Sequence, residues 1–178
     1  MLPLQASDLD RVAEPSDLVQ IDIPADVRFL GLVRSCVTEA LRLDAPDGQD
    51  PQLPDMVALA VHEVCTNQIA HAYRGRSGGR LRVTVTVSRT PRQLVVETCD
   101  TGSAIDLQRH AALGRWTAPD SPDETTITFG QLPVPGPSTE GGYGLYLVTT
   151  IMDEVMYSKA PTQNRWRLVK RIVATPPP

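Results

Sequence analysis

HEVCTNQIAHAYRG, residues 62–75, lies within a longer run from Pro54 to Tyr73 that has the periodicity of a helix closed by Gly75. Glu63, Asn67 and His71 recur every fourth residue, so at 100° per residue they fall within an arc of about 80° on one face. Met56, Leu59, Ala60 and Ala70 flank that arc, and Val57, Val61, Cys65, Ile69 and Ala72 line the opposite side. The helix is thus apolar nearly all round, with little solvent face and one narrow polar stripe. A helix of that kind belongs in a layered α/β domain, buried on most sides, with the stripe turned toward something polar.

Working outward, LVQIDIP (residues 18–24) alternates as a strand, and Asp26 is placed to cap a helix from about Val27 to Leu43. Downstream, LRVTVTVSRTPRQLVVETC reads as two strands joined by a short turn, with Leu81, Val83, Val85 and Val87 on one face and Thr84 and Thr86 on the other. After Asp106 the pattern fails for more than thirty residues, a length associated with functional lids or disorder. Order returns at GGYGLYLVTTIMDEV, a glycine-rich entry to a helix, followed by VMYSK and RWRLVKRIV as a closing strand pair. The expected organisation is a loose arm over 1–16, a single domain over 17–174 with a lid at about 107–139, and an unstructured tail at 175–178.

At 178 residues the chain can build one well-cored domain. A net charge of −4 with no basic run argues against nucleic acid as a partner. Cys36, Cys65 and Cys99 share no metal-ligand spacing and sit in apolar stretches, as reduced thiols of a cytoplasmic protein would. There is no secretory leader pattern and no apolar run of about 18 residues, so no membrane association is expected.

Three segments carry chemistry. In the stripe, Asn67 can complete an oxygen-rich Mg²⁺ shell beside phosphates and waters, and Glu63 can orient or deprotonate an attacking hydroxyl. The plainer alternative is that both satisfy neighbouring backbone groups. In CDTGSAID (residues 99–106), Asp100 at a strand end can accept from an exocyclic amine and Gly102 permits close approach, unless the segment is an ordinary Asp-x-Gly turn. In EGGYGLYLV (residues 140–148), Gly141, Gly142 and Gly144 precede a helix whose free N–H groups suit phosphate, unless the glycines only cap it.

Taken in order, ExxxNxxxHAY, DxGxxxD and GGxGL resemble the N, G1 and G2 boxes of the GHKL ATPase superfamily. The nearest resemblance is to its anti-sigma-factor serine kinases, the RsbW/SpoIIAB type, and it runs from about residue 18 to 173. The resemblance implies an α/β two-layer sandwich, with helices packed on one face of a mixed, mostly antiparallel sheet. It implies ATP and Mg²⁺ as cofactors, with Glu63 as general base and Asn67 as metal ligand. Asp100 would read the adenine amine, Gly102 would let the base lie close, and Gly142 and Gly144 would cradle phosphate. Asp106, Gly141 and Leu145 complete the nucleotide-binding set, and His71 takes a structural role at the helix end. Implied partners are a sigma factor, a STAS-domain antagonist carrying the acceptor serine, and a second copy in a homodimer. A nucleotide-gated interaction module without phosphoryl transfer is the other reading; Glu140, before the glycines, and the proline-rich lid favour it.

Overall fold

A computed structural model describes residues 17–43, 49–73, 78–105, 114–117, 125–135 and 143–173, with only the backbone described over 114–117. Along the chain run β1 (Asp17–Pro24), α1 (Leu30–Leu43), α2 (Leu53–Asn67), β2 (Arg80–Arg89), β3 (Arg92–Asp100), β4 (Gly114–Thr117), β5 (Thr125–Phe129), α3 (Tyr143–Ile151), β6 (Glu154–Lys159) and β7 (Asn164–Arg171). The seven strands form one sheet in the order β1-β2-β3-β7-β6-β5-β4, antiparallel at every pairing.

Strand alternation builds the core. Leu81, Val83, Val85 and Val87 of β2 are buried, and each faces an inward residue of β3: Asp100, Thr98, Val96 and Leu94. The same rows continue through β7, where Asn164, Trp166 and Leu168 oppose Asp100, Thr98 and Val96. The three α-helices of the described residues join this one core cluster: α1 through Leu30, Val33, Val37 and Leu41, α2 through Val57, Val61, Val64 and Cys65, and α3 through Val148. The expected two-layer sandwich is therefore present, with a sheet that is antiparallel at every pairing where a mixed one is expected. The opposite sheet face carries Asp22, Thr84, Thr86, Glu97 and Arg167, with a buried apolar pair, Val95 and Val169, among them; Arg167 and Glu97 pair at 3.1 Å.

Local signals set several boundaries. Asp26 accepts from the Arg28 backbone N–H at 2.9 Å and opens a 3₁₀ turn, Val27–Phe29, that leads into α1. Pro54 sits in the first turn of α2, where its missing N–H costs nothing.

Two expectations need correction. The stretch 107–139 is not without pattern, because β4 and β5 fall inside it and extend the sheet beyond β6. Phe129 and Ile127 of β5 are buried, and Phe129 stacks on Trp166 with ring centroids 5.5 Å apart. Nor is α2 buried on most sides with little solvent face, since Asp55, Met56 and Leu59 form an exposed strip along it. The arm 1–16, Gly75 and the tail 175–178 lie outside the described residues.

Candidate nucleotide site

The stripe does not run straight. Where a continuous α-helix was expected, Gln68–Ala72 form a π-helical turn that follows directly on Asn67. Its wider i→i+5 spacing takes His71 out of line with Glu63 and Asn67. His71 is exposed and makes no side-chain hydrogen bond among the described residues, so it does not hold the helix end. Gln68, which the periodic reading passed over, is buried there instead.

Gln68 joins the helix to the strand end. Its Nε2 donates to Asp100 Oδ2 at 2.8 Å, and its Oε1 accepts from the Thr98 hydroxyl at 2.6 Å. Asp100, only 3% exposed, receives two more donors at Oδ1: the Gly102 N–H at 2.9 Å and Asn164 Nδ2 at 2.9 Å. Three hydrogen bonds allow a buried carboxylate to stand where an isolated one would not. Asn164 also donates to Gly102 O at 3.0 Å and accepts from the Tyr157 hydroxyl at 3.0 Å. Burial pushes the Tyr157 phenol up to about 12, offset in part by the Ile105 N–H it accepts.

The π-helical turn is fastened to the loop after β3. Ser103 N–H donates to Ala72 O at 2.8 Å. The Tyr73 hydroxyl donates to Arg80 O at 2.6 Å and accepts from Thr101 N–H at 3.3 Å. Gly102 packs so closely that a Cβ there would lie 2.6 Å from Ala72 O and 2.7 Å from its carbonyl carbon. The absent side chain at 102 is thus explained by packing on the helix end, a reason distinct from the expected approach of a base.

The third motif meets the stripe from the other side. A Cβ on Gly144, at the start of α3, would lie 2.7 Å from Glu63 Oε2 and 3.5 Å from Asn67 Nδ2. Glu63 and Asn67 are both half-buried, and neither has a hydrogen-bond partner among the described residues. An acid and an amide that no other described residue engages, facing a glycine at a helix N-terminus, suit a cation-bridged phosphate, since Mg²⁺ keeps waters and takes few protein ligands. Leu145, expected beside the nucleotide, packs against the core. Asp106, Gly141 and Gly142 lie outside the described residues. No group of three or more His, Cys, Asp or Glu among the described residues could hold a metal by itself. A cleft of about 310 Å³, lined by Phe129, Gly130, Gln131, Thr149, Thr150 and Met152, opens at the far end of α3 and contains none of these groups.

All three motifs therefore converge on α2 and its π-helical turn. Residues 23–170 match the family model described as the histidine kinase-like ATPase domain. The chain belongs to that ATPase family. Among its relatives, the protein called serine-protein kinase RsbW of Bacillus pumilus (strain SAFR-032) is 33% identical over 144 residues, spanning 80% of this chain and 78% of that protein. The protein of the same name from Bacillus velezensis is 31% identical over 78% of this chain and 76% of its own. That of Bacillus subtilis (strain 168) is 28% identical over 79% and 77%. Within the histidine kinase-like ATPases, then, the chain is similar to proteins named as serine kinases. No helix among its described residues is long and apolar enough to cross a membrane.

Gln68, Thr98, Tyr157 and Asn164 were missed by reading the sequence. The signal available for Gln68 was its place one residue after Asn67, inside the motif. For Asn164 it was a polar residue at the start of an otherwise apolar-alternating strand.

Proposed function

We propose that this chain is a serine-protein kinase of the anti-sigma-factor type, which binds ATP with Mg²⁺ and phosphorylates a serine on a STAS-domain antagonist. In this reading it regulates a sigma factor by partner switching and acts as a homodimer in the cytoplasm. The observation that carries it is the convergence of Glu63, Asn67 and Gly144, with two polar side chains that no other described residue engages.

The roles follow from the chemistry. Asn67 would offer its carboxamide oxygen to Mg²⁺, and Asp100 would accept from the adenine amine. The first turn of α3, with Gly141, Gly142 and Gly144, would present backbone N–H groups to phosphate, and Asp106 would border the same site. When bound, the metal nucleotide supplies the phosphoryl group and neutralises charge on its oxygens. Glu63, beside Gly144, would orient the acceptor serine and take its proton.

Calorimetric titration of ADP and ATP, with and without Mg²⁺, into wild type and Asn67→Ala tests the site. Metal-dependent binding lost in the variant supports it; no binding by wild type overturns it. Glu63→Gln then tests transfer. It should retain nucleotide and abolish phosphorylation of the serine, whereas unchanged transfer would remove Glu63 from that role.

A further inference from the structure

We infer that Asn164 and Gln68, each held in one orientation by a hydroxyl behind it, position the Asp100 carboxylate so that the site takes a 6-amino purine and refuses a 6-oxo purine. The inference rests on the nucleotide reading above and adds to it the residues that set base selectivity.

The hydrogen bonds have a direction that can be worked out. Asn164 has one end against Asp100 Oδ1 and Gly102 O, both acceptors. That end must be its NH₂, which leaves its oxygen for the Tyr157 hydroxyl. The Tyr157 oxygen is occupied by the Ile105 N–H, so its hydroxyl proton is free to be donated to Asn164. On the other side, Gln68 presents its NH₂ to Asp100 Oδ2, and its oxygen takes the Thr98 hydroxyl. Turning either carboxamide over would set an oxygen against the carboxylate and strand a hydroxyl.

The count at Asp100 then follows. An ionised carboxylate offers about four acceptor positions. Two at Oδ1 are taken by Gly102 N–H and Asn164, and one at Oδ2 by Gln68. Among the described residues, one position on Oδ2 is left for a donor. An exocyclic amine fills it, while a 6-oxo group would bring a lone pair against it. Without the two carboxamides the carboxylate could swing, and the distinction would blur. Tyr157 and Thr98 therefore act on the base through Asn164 and Gln68 and then Asp100, as positioning residues three hydrogen bonds removed from it.

The test is the ratio of ADP to IDP affinity, measured by calorimetry with Mg²⁺ on the full chain. Wild type should prefer ADP by about a hundredfold or more. Tyr157→Phe and Thr98→Val, which remove one hydroxyl each from opposite sides of Asp100, should each cut that ratio by about tenfold, with the loss in ADP. Thr98→Ser, which keeps the hydroxyl, should restore it. The inference is overturned if both variants weaken the two nucleotides equally, or if Thr98→Ser falls as far as Thr98→Val. Wild type binding ADP and IDP alike would remove it and leave the nucleotide site standing; wild type binding neither would remove both.

Discussion

Gly144 lies against the carboxylate of Glu63, with room between them for no side chain: a Cβ at 144 would sit 2.7 Å from Glu63 Oε2. The neighbouring atom is the free end of a flexible side chain, so the clash resolves by moving Glu63 and leaves the backbone in place.

Gly144→Ala should therefore separate stability from activity. Alanine in the first turn of α3 gains up to about 1 kcal/mol over glycine in backbone entropy. The displaced Glu63 would no longer be aimed at the acceptor, a misplacement worth about a hundredfold in rate. Thermal melting and phosphoryl transfer measured side by side check this. A variant with both unchanged would show that Glu63 tolerates displacement.

Gly102→Ala should do the reverse. Its Cβ would meet the Ala72 carbonyl, which is backbone and already engaged by Ser103 N–H. Overpacking of this kind costs about 1–3 kcal/mol. For a domain of this size that is a drop in Tm of roughly 2–12 °C. An unchanged melting curve would mean that the helix end and the loop part more easily than their hydrogen bonds suggest.

How far these contacts could be read beforehand depends on their range. The β2–β3 pair, the α1 stripe and the Asp26 cap are local patterns, visible because burial of one face forces a period of 2 or 3.6. Glu63 and Asn67 stood out for the same reason, as polar residues at helical spacing on an apolar helix. Gln68 did not, because its partner Asp100 lies 32 residues away, and nothing in QIAHA marks a π-helical turn. Asn164 and Tyr157 face Asp100 only once β7 has paired with β3 and β6. β5 was missable for another reason. TTITF does alternate, but it is five residues long and follows Pro119 and Pro122, so its burial comes from pairing with β6 alone on one side and the short β4 on the other.

That membership of the sheet gives β5 a measurable weight. Phe129 is 5% exposed and lies nearly parallel to Trp166, at 15° between the ring planes. Phe129→Ala should cost about 3–5 kcal/mol in a single cooperative transition, a large share of a typical domain's stability. If 107–139 behaved throughout as a detached lid, the same substitution would leave chemical denaturation of the domain unchanged, and the assignment of β5 to the core would fall.

Cys65 ties stability to alkaline pH. The thiol is fully enclosed beneath α2, and burial raises it from its ordinary value near 9 to about 12. The unfolded chain releases this proton near pH 9 while the native chain still holds it. Its contribution is thus fully present below pH 9 and is lost as the pH rises from there toward 12, at up to about 1.4 kcal/mol per pH unit. Tyr157, pushed up to about 12 from 10, adds a loss of the same sign that begins one unit later. Cys65→Ala removes the first of these and leaves a small void, so it should be less stable than wild type at pH 7. Between pH 9 and 11 the two melting temperatures should approach one another, because only wild type is still losing the thiol's contribution. Melting curves that stay parallel across that interval would show that Cys65 ionises without unfolding the helix above it.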